Sequence, residues 1–104
     1  MKTPLARLSH TRSSVCGGDI ALAVMGWDTE EYAILVRELT AQRVKAFFGS
    51  RAPGPVSRFE LPALRALTFV LHDAAGKGLA LRIDPGCVAL ASALLLLEVE
   101  SPIT

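Results

Sequence analysis

Charge of one sign is what this sequence most lacks. Eleven lysines and arginines face ten aspartates and glutamates, a formal net charge of +1 over 104 residues. No basic stripe with interleaved aromatics breaks that balance, which excludes nucleic acid as the expected partner. Histidine and cysteine are scarce, two of each. They lie far apart and match no zinc spacing, so no metal site and no cofactor are expected. Long apolar runs are missing too. The longest, Cys87–Leu97, falls well short of the roughly 20 residues that span a bilayer, so it reads as a buried helix and no membrane partner is expected. The opening Met-Lys-Thr-Pro has no apolar run behind it, which predicts no secretory signal and a cytoplasmic protein. Cys16 and Cys87 then read as reduced thiols, with a disulfide as the alternative. Gly76-Lys77-Gly78 lacks the upstream glycine and the Ser/Thr of a Walker loop and reads as a hairpin turn.

What is abundant is grease. Hydrophobic residues make up 51% of the chain and the mean hydropathy is +0.40. A chain this short is a single domain, 1–104. Its richness predicts that some apolar surface is covered by a partner, as a homo-oligomer or a heteromer.

The patterning organises around Val56–Asp73. Leu67, Phe69 and Leu71 alternate with Ala66, Thr68, Val70 and His72, the period-2 signature of a strand with two different faces. Phe59 and Leu61 alternate likewise with Arg58 and Glu60, and Pro62 ends that first run. Pairing the runs predicts a core face of Phe59, Leu61, Leu67, Phe69 and Leu71. It leaves a mixed face of Val56, Arg58, Glu60, Ala66, Val70 and His72. Arg58, Glu60 and His72 are the candidate interface residues, either a polar constellation at a contact or a solvated set of strand side chains.

Upstream, Pro4–Thr11 reads as a first strand and Arg12–Gly18 as a Ser/Gly loop. Asp19–Gly26 is a near-continuous apolar run, a central strand. Asp28 then reads as an N-cap with Glu31 completing a capping box. Tyr32, Leu35, Val36 and Leu39 follow at helical spacing. Thr40 marks a bend or second N-cap, and Gly49 ends the helix. Downstream, Ala74–Gly78 reads as a turn and Leu79–Ile83 as a short strand. Asp84-Pro85 starts a second helix with Val88, Ala91, Leu94 and Leu95 on its core face. Glu98–Ser101 closes as a strand. The expected fold is α+β: a ferredoxin-like sandwich, a mainly antiparallel sheet with two helices on one face.

Several stretches carry a family resemblance. Leu8–Arg12 with the Ser/Gly loop and apolar strand behind it, LTAQRVKAFFG (Leu39–Gly49), GPVSRFELPALRALTFVLH (Gly54–His72) and LRIDPGCVALASALLLLEV (Leu81–Val99) occur in order and at matching spacing. Together they resemble the small C-terminal ferredoxin-like domain of AtuA-type proteins, the acyclic terpene utilisation family. The resemblance implies a ferredoxin-like domain found fused behind a large AtuA domain or as a separate small protein, this chain being the separate form. It also implies a link to catabolism of branched acyl-CoA compounds. One stretch departs from the family. Its first loop commonly reads Ser-Gly-Asp-Lys-Gly-Asp, followed by a small polar run with Asn. Ser13–Asp19 here lacks the acid–base pair, and Ile20 and Ala21 stand where the polar run would begin.

Two functions from different classes follow. One is a small interaction subunit that docks its open sheet face on a larger AtuA-like chain or on itself. The other is an acyl-CoA-binding enzyme or half-site using the loop His10–Asp19. There His10, Arg12, Ser13, Ser14, Gly17, Gly18 and Asp19 are the candidate ligand contacts, through backbone N–H groups and the Arg12 charge. A plain solvated connection is the alternative for that loop. No catalytic residue is assigned. Cys16 with His10 is a nucleophile pair only if the thiol is activated, and otherwise an ordinary thiol. Cys87 packs as a small apolar residue or is activated at its helix start.

Overall fold

A computed structural model describes residues 2–16, 18–49, 52–73 and 91–100. Strand β1 is Lys2–Pro4 and a one-turn helix α1 is Leu5–Leu8. Strands β2 (Ser9–Cys16) and β3 (Asp19–Gly26) follow, then helices α2 (Thr29–Glu38) and α3 (Ala41–Phe48). Strand β4 is Val56–Leu61, a 3₁₀ turn spans Pro62–Leu64, and β5 is Ala66–Leu71. Residues 91–94 are helical and β6 is Glu98–Glu100. The main sheet is antiparallel in the order β2-β3-β5-β4, and β1 and β6 form a separate antiparallel ribbon. This is the α+β architecture that the patterning predicts. The expected turn at 74–78, the strand at 79–83 and the helix start at Asp84-Pro85 lie outside the described residues, as does Cys87.

Strand β3 is central because both of its edges are used and one of its faces is aliphatic. Ile20, Leu22 and Val24 stand opposite Leu71, Phe69 and Leu67, and all six are buried. Ile34 and Leu35 of α2, Val44 and Phe48 of α3, and Ala91 and Leu94 join them in one cluster. The described helices therefore pack on the same face of the sheet. Thr11 Oγ1 donates to Ala91 O at 3.0 Å and ties β2 to the last helical segment. Arg37 and Arg43 donate to the carbonyls of Glu100 and Glu98 and hold the ribbon beside the helix pair.

Helix starts follow their caps. Asp28 Oδ1 accepts the N–H groups of Glu30 and Glu31, at 2.9 and 3.1 Å. Thr40 Oγ1 accepts from Arg43 N at 3.1 Å, so Thr40 is a second cap and splits the helical stretch in two. All three bonds satisfy orphan first-turn donors. Gly49 closes α3 at φ 58°, a conformation glycine adopts without a Cβ penalty.

Three expectations are corrected. Pro4–Thr11 is not one strand. Leu5 and Leu8 are both fully buried, which a strand of opposite-facing positions cannot give but one helical turn can. Ser9 Oγ closes that turn onto Leu5 O at 2.8 Å. Arg12–Gly18 is not a loop. Strand β2 runs through Cys16 with continuous pairing to β3, ending at Cys16 opposite Asp19. Gly18 lies in the turn that follows.

The third correction is the phase of β4. Arg58 stands opposite Phe69 and Glu60 opposite Leu67, whereas Phe59 faces Thr68 and Leu61 faces Ala66. Directly opposed residues share a face. Arg58 and Glu60 thus lie on the helix side, and Phe59 and Leu61 on the other. The cause is the C-terminus of α2. The Arg58 guanidinium donates to Leu39 O and Val36 O at 3.0 Å each and to Glu60 Oε2 at 2.8 Å. A charged donor on terminal helix carbonyls is a strong, directional contact, and it outweighs the aliphatic pattern of so short an edge strand.

Arg58→Met keeps the stem and removes those bonds. Hydrogen bonds to charged groups are worth about 2 kcal/mol, and urea denaturation is expected to show a loss of that order. Tyr32, the one tyrosine of the chain, reports the same region. Its phenol is held above its ordinary value by desolvation, then by the Glu60 charge, with Arg58 acting the opposite way. Phenolate absorbance on titration should therefore show a midpoint above about 10, lowered by Glu60→Gln. Because the folded value is the raised one, this contribution to stability is complete below the unfolded midpoint. It is lost as pH rises through the folded one.

Candidate functional site: the uncovered sheet face

The strand pairings lay out the face opposite the helices as four rows across β2, β3, β5 and β4. The first is His10, Met25, Ala66 and Leu61; the second is Arg12, Ala23, Thr68 and Phe59. The third is Ser14, Ala21, Val70 and Ser57. Beyond it, Asp19 and His72 continue β3 and β5, with His72 N donating to Pro55 O at 3.0 Å. Among the described residues, the buried helix side chains all belong to the cluster on the opposite side.

The first end of this face is apolar. Phe59 is 52% exposed, Leu61 42%, Leu64 of the 3₁₀ turn 67% and Trp27 53%. The Trp27 ring packs on His10 with centroids 4.6 Å apart. His10 Nδ1 is buried there with no hydrogen-bond partner among the described residues.

The middle is a shallow trough of about 310 Å³ lined by Arg12, Ser13, Ser14, Ala21, Ala23 and Thr68. Its floor exists because β3 and β5 present alanines and a threonine there. Arg12 supplies its one cation.

The far end is polar and tightly connected. Ser57 Oγ lies 2.9 Å from His72 Nε2, and His72 Nδ1 lies 3.3 Å from Asp19 Oδ2. Asp19 Oδ1 accepts from Asp73 N at 2.9 Å. Asp73 itself sits at φ 62°, a left-handed turn that aims its N–H at Asp19. The segment before β4 is pressed close behind this group. Lys45 Nζ donates to Ala52 O and Gly54 O, at 2.9 and 2.6 Å. A Cβ on Gly54 would collide with the carbonyl oxygen of His72.

The sequence-derived site residues are therefore divided. Arg12, Ser13 and Ser14 do meet, around the trough, but as strand residues. Extended backbone forms no N–H nest, so the contacts offered are the side chains of Arg12 and Ser14, while Ser13, opposite Leu22, lies on the helix side. His10 belongs to the apolar end and Asp19 to the polar end. Gly18 lies in the turn; Gly17 and the Cys16 side chain lie outside the described residues. Of the interface set, His72 is on this face while Arg58 and Glu60 are on the helix side. Ser57, Phe59 and Thr68 are site residues that the sequence reading did not single out. The β5 alternation already put Thr68 on this face, and the opposite phase of β4 would have set Ser57 and Phe59 beside it. Among the described residues, no group of three or more His, Cys, Asp or Glu is placed to hold a metal ion. Among them too, no helix is long and apolar enough to cross a membrane.

A protein-family model, the AtuA ferredoxin-like domain, matches residues 3–100. No curated protein and no solved structure matches the chain.

Gly54→Ala tests how the polar end is held. Its methyl group must displace the backbone of His72, an overpacking cost of about 1–3 kcal/mol. Chemical denaturation should show that loss, and a neutral substitution would contradict the close approach.

Proposed function

The chain belongs to the AtuA ferredoxin-like domain family, and on that premise we propose that it is an interaction subunit whose bare sheet face docks on a larger AtuA-like chain. The pathway it would serve is catabolism of branched or terpenoid acyl-CoA compounds. The observation that carries the reading is the outward phase of β4. It leaves Phe59 and Leu61 in water, followed by the exposed Leu64 of the 3₁₀ turn. Burying a side chain of this size contributes about 1.5–3 kcal/mol, and contiguous exposed apolar residues mark an interaction site. A standard interface takes about 800 Å² from each partner. The chain's surface is 5873 Å², so such a contact would take about one seventh of it.

A second reading is favoured by the trough. Arg12 beside a small-residue floor offers one cation and an apolar bed, which fits an acyl-CoA half-site with a phosphate or carboxylate on Arg12.

Light scattering after size exclusion separates the two. With a large AtuA-like chain added, the docking reading expects a stable complex. Phe59→Ser should weaken that complex tenfold or more. A chain that stays monomeric and ignores that partner contradicts it. For the half-site, calorimetry with acyl-CoA thioesters should give heat that Arg12→Ala abolishes.

A further inference from the structure

The polar end of the face has a chemistry that docking does not use. Three side chains from positions 19, 57 and 72 meet in the order carboxylate, imidazole, hydroxyl. Asp19 Oδ2 lies 3.3 Å from His72 Nδ1, an ion-pair distance, and a carboxylate on that side favours the tautomer with its proton on Nδ1. In that tautomer Nε2 is bare, and the Ser57 hydroxyl 2.9 Å away is placed to donate to it. That is the relation of orienter, general base and nucleophile that activates a serine. The carboxylate is itself fixed by the Asp73 N–H, so the order of the three is held from both ends.

We propose that Ser57, His72 and Asp19 form a nucleophilic site for acyl esters with a good leaving group, thioesters included. Ser57 Oγ attacks the carbonyl carbon while its proton passes to His72 Nε2. The tetrahedral intermediate collapses, the bond from carbonyl carbon to the leaving oxygen or sulfur breaks, and the leaving group takes the proton from His72. Water then attacks the acyl-serine, giving its proton to His72 and releasing the carboxylic acid as Ser57 regains its hydrogen. Ester and water become acid and alcohol or thiol, with no other reactant.

The face also sets the acyl specificity. Val70 stands beside Ser57 in the same row, and Ala21 beyond it begins the trough. Two strand spacings, about 10 Å, separate Ser57 from Ala21. An apolar acyl chain can lie across Val70 with its end over the alanine floor. The six residue steps from Ala66, in Leu61's row, to His72 just past β5 span about 20 Å, so the site and the apolar docking end are separate.

The test uses the free full-length chain with a fluorophosphonate probe and p-nitrophenyl octanoate. Intact mass and peptide mapping should place one phosphonyl adduct on Ser57, and ester hydrolysis should show a matching burst. Ser57→Ala should lose both. His72→Gln and Asp19→Asn should slow labelling at least tenfold. Circular dichroism confirms that each variant is folded. No adduct on the wild-type chain overturns the proposal, whatever the variants do. So does an adduct mapped to another residue, or labelling unchanged in a folded His72→Gln chain. None of these outcomes depends on whether the large chain binds.

Discussion

The Arg58 guanidinium on the last carbonyls of α2 is the contact on which the face of this domain depends. Strand β4 is an edge strand of six residues, and either of its two phases would satisfy its ladder to β5. With Arg58 inward, Val36 O and Leu39 O gain donors that the end of a helix otherwise lacks. The other phase would place Phe59 under the helices and leave those carbonyls to water. Because side chains alternate, one inward arginine turns Ser57, Phe59 and Leu61 outward at once. The apolar rim and the polar end of the face are both consequences of that choice.

Much of the architecture was legible in the residues. Asp19–Gly26 announced a central strand, Asp28 and Thr40 announced helix starts, and Pro62 announced the end of β4. Each of these signals is local: a cap, a breaker, an unbroken apolar run. The failures were all places where a distant partner decides. Leu5 and Leu8 look like strand residues until the core demands both on one side. Ser13 and Ser14 look like loop until β3 supplies their ladder, although Gly17-Gly18 between two runs was a hairpin signal in plain view. Arg58 looks like a surface charge until α2 ends beside it.

The site was legible only in pieces. His10, Arg12, Asp19 and His72 were visible as chemistry-bearing residues, but their grouping follows strand order and register, which one sequence does not print. The order β2-β3-β5-β4 places Asp19 and His72 side by side and Ser57 next along. The family match then fixes the kind of domain without fixing what it acts on. The proposed functions both rest on one face, greasy at one end and hydrogen-bonded at the other, that the described helices do not cover.

The phase of β4 is the claim to test first, by nuclear Overhauser contacts in the isotope-labelled chain. The account predicts contacts from the Arg58 side chain to Val36 and Leu39, and from the Phe59 ring to Thr68 with none to α2. Contacts from the Phe59 ring to Leu35 or Leu39, with Arg58 free of the helix, would contradict it.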